Sequence, residues 1–450
     1  MKMKKILFCV LAAALTVGAA IPSRAQKFCE RVRLSIDRPD GRYAAGEKID
    51  VYVESDTEAD LSVQVYLNGI VQKKKGVAQK HIPAGKSLLY SASYDAPTAQ
   101  VVRVLNPENR KEFADIGAIV DAEGFRPGFA FPADMRAFWD KEIKAMRKLK
   151  MKASLTPVEI PADKVKKAEN LECFAFEINC VGDVPARGYL ARPKNAEKKS
   201  LPIVVYLHGA GVNKAGNRSS IVLAANYAKR GGGAIVVDLN AHGMLGDQPQ
   251  SYYDDLNANA LKDYSRREPV DHKSYYFRTM FLRAQRTLDY LCTLPEWDGE
   301  RVLVMGSSQG GAQTAALAGM DPRVKVAVLT VPAMMDMGGK LAGRLSGWPK
   351  LLEVYKESET APEILPYYDG ANFLQMTDAR LFMEAGLSDF TCAPAAVFAG
   401  YNVAKSADKV IYTNPYRPHS GYANFSRERQ AEWKKSIDDV RNRFINDYLK

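Results

Sequence analysis

Ser308 stands in Gly306-Ser307-Ser308-Gln309-Gly310-Gly311, between the apolar run Val302–Met305 and an Ala-rich segment. A serine flanked by glycines where a strand gives way to a helix has the pattern of a nucleophile elbow, G-x-S-x-G, whose sharp turn presents the hydroxyl at the end of a sheet. The glycines have a steric reason: strand and helix close tightly around strained backbone only where no Cβ intervenes. The pattern alone carries little weight, because at roughly 7% each for Gly and Ser a chain this long holds about 0.15 chance matches. A hydroxyl becomes a nucleophile only with a base, a group that orients the base, and donors for the developing oxyanion.

Only one histidine follows Ser308. It is His419, in Asn414-Pro415-Tyr416-Arg417-Pro418-His419-Ser420-Gly421, on a loop after the last expected strand. Serine, acid, histidine is the chain order of this elbow class, so His419 is the expected base; a surface-loop histidine is the plain alternative. The orienting acid is expected at Asp389, which ends Phe382-Met383-Glu384-Ala385-Gly386-Leu387-Ser388-Asp389 beyond the preceding strand. Asp369 and Asp378 lie before that strand, and Glu384 inside it. Oxyanion donors are expected from the backbone N–H of Gln309 and from that of Ala210, in the loop His208-Gly209-Ala210-Gly211. Each donor of this kind is typically worth ~3 kcal/mol of barrier. His208 reads as structural, and His242, in Asn240-Ala241-His242-Gly243, as loop packing.

These residues need a scaffold. From Arg31 to about Val120 apolar residues alternate with polar ones (Val32-Leu34-Ile36, Ile49-Val51-Val53, Leu61-Val63-Val65), with turns at Pro39-Asp40-Gly41, Asn68-Gly69 and Pro83-Ala84-Gly85. Leu88–Tyr94 and Val101–Leu105 add two more strands, and the spacing suggests a small immunoglobulin-like β-sandwich over 26–123, a spacer or docking module. Gly124–Gly128 reads as a linker, and a helix starts near Asp134. Over 124–450 strand and helix patterns alternate. Leu171–Ile178 and Gly188–Arg192 form an expected antiparallel pair. Ile203–Leu207, Ala234–Asp238, Val302–Met305, Val326–Val331, Arg380–Ala385 and Val410–Tyr412 follow. Buried strands separated by helices imply a mostly parallel sheet covered on both faces; with the serine elbow, the α/β-hydrolase fold is expected. Phe277, Phe281, Ala284, Leu288 and Leu291 mark one covering helix, and Trp433, Ile437, Val440 and Phe444 another over 427–450. The insertion Ala333–Asp378 carries Trp348, Tyr355, Tyr367 and Tyr368, which suit either a sugar-stacking pocket wall or simple packing.

From Phe131 to about Tyr422 the chain resembles the acetyl xylan esterase/cephalosporin-C deacetylase family, carbohydrate esterase family seven. The resemblance rests on Phe138-Trp139, His208-Gly209, the Ser308 elbow, Asp321-Pro322-Arg323-Val324, Val331-Pro332 and the His419 loop. Its most specific part is Asp389-Phe390-Thr391-Cys392-Ala393-Pro394 with Val397-Phe398-Ala399-Gly400-Tyr401-Asn402. It implies serine-dependent removal of acetyl groups from acetylated carbohydrate, without metal or organic cofactor, and supports Asp389 as the acid. It also implies a possible homo-oligomer. The chain departs from the family pattern at Asn240–Gly243, where Arg-Gly-Gln-Gly is common, at Ala210, where Tyr is common, and at Ser420, where Glu often follows the histidine. The segment before about Ala122 is additional. A serine carboxylesterase or peptidase would share the same residues, and a non-catalytic carbohydrate-binding envelope protein only the fold.

Composition narrows the class. At 450 residues, with 46% hydrophobic and 26% charged residues, the chain is globular and long enough for two or three domains. Lys2, Lys4 and Lys5 precede the apolar run Ile6–Ala20, and Ser23-Arg24-Ala25 offers a cleavage site before Gln26, which reads as a signal peptide over 1–25 and a periplasmic or secreted protein. Four of the charges behind the net +11 lie in that leader, and Lys73-Lys74-Lys75 reads as a solvated loop, so no nucleic-acid partner is expected. No later stretch is apolar enough to span a membrane. Five cysteines remain after the leader, an odd number without close spacing, and no C-x-x-C or His/Cys cluster suggests a metal. Cys173 and Cys180 fall in one expected strand, ~23 Å apart, and cannot bond to each other.

Overall fold

The computed structural model describes residues 28–72, 77–420 and 427–450. The expected leader, the Lys73-Lys74-Lys75 run and the side chain of Trp433 lie outside the described residues. Nine strands form the amino-terminal part: β1 (Val32–Ser35), β2 (Arg42–Tyr43), β3 (Lys48–Ser55), β4 (Ala59–Leu67), β5 (Ile70–Val71), β6 (Val77–Ile82), β7 (Gly85–Ser93), β8 (Thr98–Leu105) and β9 (Phe113–Val120). They make two sheets, β1-β3-β7 and β2-β9-β8-β4-β5, with β6 also on β4. Alternation places Ile49, Val51 and Val53 of the first sheet against Leu61, Val63, Val102, Val104 and Ile116 of the second, in one apolar core. The sequence reading missed β2, β5, β6 and β9, since two of these are two-residue bridges and β6 carries few apolar residues.

The larger part is a mixed α/β fold. Its strands are β10 (Ala153–Pro157), β11 (Leu171–Ile178), β12 (Ala186–Pro193), β13 (Leu201–Leu207), β14 (Ile235–Asn240), β15 (Trp297–Ser307), β16 (Val326–Thr330), β17 (Arg380–Gly386) and β18 (Lys409–Asn414). They form one sheet in the order β10-β11-β12-β14-β13-β15-β16-β17-β18. Pairing is antiparallel from β10 to β14 by way of β11 and β12. It is parallel from β14 through β13 to β18. Successive residues of the central strands point to opposite faces, so Ile203, Val205, Val302 and Val304 join one core. Val204, Leu303 and Met305 join the other.

Helices cover both faces. Tyr276–Leu291 buries Phe277, Phe281, Ala284, Leu288 and Leu291, as its spacing predicts. Arg427–Leu449 lays Ile437, Phe444 and Ile445 on the opposite face. No described helix is long and apolar enough to cross a membrane.

The two parts are in close contact, and the segment read as a linker is packed. Phe125 is buried, and the Gly128 N–H donates to Asp336 Oδ1 at 2.6 Å. Part of the contact falls on β18 and on the loops after β17 and β18. Gly117 N of β9 donates to Pro415 O at 2.8 Å, and Thr413 Oγ1 donates to Asp40 O at 2.8 Å. A Cβ at Gly117 would lie 2.1 Å from Leu387 O, which makes a glycine obligatory for so close an approach.

Candidate active site

Strand β15 ends at Ser307 and the helix Gln309–Met320 begins two residues later, with Ser308 at φ 55° and ψ −121°. That backbone is costly for a side-chain-bearing residue, and the surroundings hold it there. Ser308 N donates to Thr330 O at 2.9 Å, and Ser308 O accepts from Ala333 N at 2.9 Å. The elbow also needs its glycines: a Cβ at Gly310 would lie 2.0 Å from Leu207 O, and one at Gly306 2.7 Å from the same oxygen.

The structure brings Ser308, His419 and Asp389 into one hydrogen-bonded chain. His419 Nε2 lies 2.9 Å from Ser308 Oγ, and His419 Nδ1 lies 2.7 Å from Asp389 Oδ2. The other carboxylate oxygen, Oδ1, accepts from Thr391 N at 2.7 Å and Cys392 N at 2.8 Å. Asp389 is buried and His419 partly exposed, which suits an acid that stays fixed and a base that meets substrate. The competing acids are elsewhere engaged. Asp369 caps the helix Gly370–Leu374, Asp378 pairs with Lys405, and Glu384 lies within β17 and pairs with Arg417.

The His419 loop is anchored rather than free. Arg417 Nε donates to the buried Glu384 at 3.0 Å, and another guanidinium nitrogen donates to His419 O at 3.1 Å. Pro415 O accepts both Ser388 Oγ at 2.6 Å and Gly117 N at 2.8 Å, tying the acid loop, the histidine loop and β9 together. Neither Arg417 nor Gly117 carries a sequence signal for this role.

The loop His208–Gly211 lies against the elbow: a Cβ built on Gly209 would be 3.7 Å from Ser308 Cβ. Asn217 Nδ2 donates to Ala210 O at 2.6 Å and fixes the orientation of that peptide. Gln309 opens its helix, so its N–H has no intrahelical acceptor, and its side chain accepts from the Tyr264 hydroxyl at 2.6 Å. His208 is buried against Asp238, a structural place as expected. His242 Nδ1 lies 2.7 Å from the Tyr276 hydroxyl, and its ring packs edge-to-face on Tyr264 with centroids 4.4 Å apart. Burial, with Arg283 nearby, pushes the His242 imidazole down to about 3.

Cys392 carries no spacing signal, yet its Sγ, a carboxylate oxygen of Asp389 and a ring nitrogen of His419 all lie within 4.8 Å of one another. Burial, with Asp389 beside it, holds the thiol well above its ordinary value, so it is a neutral neighbour. All five described cysteines are free thiols.

The aromatic residues of the insertion largely pack it onto the body. Tyr368 is fully buried and donates to His272 O at 2.6 Å. Tyr367 bonds Asp134 and meets the Phe138 ring at 5.0 Å. Tyr355 donates to Arg266 O at 2.6 Å. Trp348 is half-buried, 6.2 Å from the Phe277 ring.

A mixed α/β sheet with a serine elbow at the carboxyl end of its strands is an arrangement that serine ester and amide hydrolases share, and comparison with known proteins makes the assignment specific. The family model described as acetyl xylan esterase (AXE1) matches residues 119–437, and the chain belongs to that family, as a carboxylic-ester hydrolase. It is 27% identical over 439 residues to acetyl esterase Axe7A of Xylanibacter ruminicola, a match covering 93% of each chain. Among solved structures it is similar to the acetyl xylan esterase from Paenibacillus sp. R4, at 23% identity and a TM-score of 0.59, covering 73% of this chain and 98% of that one. Acetyl xylan esterase 1 from Thermoanaerobacterium sp. JW/SL YS485 gives 22% identity and a TM-score of 0.55 over the same shares. The two solved structures speak for the fold.

Proposed function

We propose that this esterase removes acetyl groups from acetylated xylan or related oligosaccharides, with Ser308 as nucleophile, His419 as general base and acid, and Asp389 as the group that orients His419. The observation that carries the reading is the continuous chain from Ser308 Oγ through both ring nitrogens of His419 to a buried carboxylate, at 2.9 and 2.7 Å. Ser308 Oγ attacks the acetyl carbonyl carbon while His419 Nε2 takes the hydroxyl proton. The N–H groups of Gln309 and Ala210 stabilise the resulting oxyanion. Collapse breaks the bond to the sugar oxygen, which leaves with the proton from Nε2. Water then attacks the acetyl-enzyme, delivering its proton to His419, and acetate departs as Ser308 regains a hydrogen.

The amino-terminal unit belongs to the same reading as an immunoglobulin-like sandwich that docks on the loops of the hydrolase. So does export through a leader cleaved before Gln26. Acetate release from acetylated xylo-oligosaccharides tests the function: the native chain is expected to release it, and Ser308→Ala to be silent and unlabelled by a serine-directed phosphonate. Full activity in Ser308→Ala would sink the mechanism.

A further inference from the structure

A cavity of about 170 Å³ opens beside His419, and both parts of the chain line it: Arg103, Phe113 and Asp115 from β8 and β9, and Phe390, Tyr416 and Ser420 from the loops around the acid and the base. It is small beside the roughly 300–1,000 Å³ of sites for drug-sized ligands. It is a place for one ring.

Its position has a chemical meaning. In ester hydrolysis the acyl carbon faces the nucleophile and the oxyanion donors, while the leaving oxygen must face the group that protonates it. In a sugar acetate the leaving oxygen belongs to the sugar. The sugar is therefore held on the His419 side, where this cavity lies.

Its walls have a matching chemistry. The Arg103 guanidinium lies over the Phe113 ring at 4.3 Å and the Phe390 ring at 4.8 Å. Asp115 accepts from Arg103 Nε and from one terminal nitrogen, both at 2.7 Å, so the guanidinium is locked flat and its charge is compensated. Tyr66 meets the Phe390 ring edge-on at 4.8 Å and supports it from β4. Phe113 and Phe390 are only partly buried, so ring surface is left for a ligand. Flat apolar faces beside a charge-neutral polar pair suit the C–H face and hydroxyls of an uncharged sugar, not a carboxylate.

We propose that β8 and β9 complete the substrate cleft of this esterase, and that Phe113, Phe390 and the Arg103–Asp115 pair bind the neutral sugar ring that carries the scissile acetyl group. The inference rests on the deacetylation reading above. It makes the amino-terminal unit a specificity element of the active site, beyond a docked spacer.

The test compares Phe113→Ala and Arg103→Lys with the native full-length chain on an acetylated xylo-oligosaccharide and on 4-nitrophenyl acetate, whose leaving group is not a sugar. The ratio of kcat/KM between the two substrates is expected to fall roughly tenfold in either variant, chiefly through KM for the oligosaccharide. Arg33→Gln, on β1 of the other sheet, is expected to leave the ratio as it was. Equal losses on both substrates, with a lowered melting temperature, would mean that Phe113 and Arg103 merely hold the unit in place, and would overturn the proposal. So would a preference for uronate-bearing over neutral acetylated oligosaccharides that is lost in Arg103→Lys. A native chain that hydrolyses 4-nitrophenyl acetate but no acetylated sugar would instead refute the proposed function itself.

Discussion

Ser308 sits in a backbone conformation held by its bonds to Thr330 and Ala333, and the carbonyl of Leu207 leaves no room for a Cβ at Gly310 beside it. Ser308→Ala and His419→Ala are each expected to lower kcat roughly 10⁴-fold or more, with Asp389→Asn close behind, measured as acetate release under single-turnover conditions. The legibility of these residues follows from the same sterics. Close approach of backbone demands glycines, and glycines leave a mark in the sequence at Gly306 and Gly310. A single histidine downstream settles the choice of candidate base. Tyr264, Asn217, Arg417 and Arg103 leave no such mark, because each meets its partner through the packing of distant elements, and neither spacing nor residue type encodes that meeting. His242 gives a pH prediction at this scale. Its imidazole is pushed down to about 3 in the folded protein by burial and by Arg283, so the unfolded chain binds more protons between about pH 6.5 and 3. Stability from this group is complete above about pH 6.5 and is lost as the pH falls toward 3. Melting curves of His242→Gln against the native chain from pH 7 to 4 should show the variant losing less stability on acidification. Taking the difference isolates His242 from the buried carboxylates.

Strands β15, β17 and β18 deliver the three side chains of the proposed triad to one edge of the sheet, but the loops after them decide the geometry. The Arg417–Glu384 pair is almost fully buried and spans the strand that precedes Asp389 and the loop that bears His419. Removing one member of such a pair typically costs about 3–5 kcal/mol, since the other is left charged and unpaired. Arg417→Met should therefore lower stability by about that much and depress kcat on every ester alike; a variant with native kcat would show that the loop is held by its remaining bonds. Long, apolar, central strands are readable from sequence, and so is the apolar stripe of the helix Tyr276–Leu291, whereas its buried Arg283, Gln285, Arg286 and Thr287 are not. Strand β10 is not, because Ala153–Pro157 is an exposed edge with one half-buried residue and a proline. The packing of the segment after Gly124 is also hidden: Gly128 serves close contact with Gly338, whereas in a sequence it looks like punctuation.

At the scale of the whole molecule, the amino-terminal sheets and the nine-stranded sheet meet over the loops that carry Asp389 and His419. A hydrogen bond from Gly117 to Pro415 and the absence of a Cβ at Gly117 keep them together. Gly117→Ala is expected to force the two sheets apart, lowering stability by about 1–3 kcal/mol and reducing turnover even of small esters, as read by denaturant titration alongside an ester assay. Chains built of several units commonly come apart in stages. Here the seam runs through the loops that carry Asp389 and His419, so the first unit cannot let go without disturbing them. Calorimetry of the full-length chain should then record one endotherm, with hydrolysis failing along the same curve. Catalysis thus doubles as a thermometer for a part of the chain that performs no bond-breaking of its own.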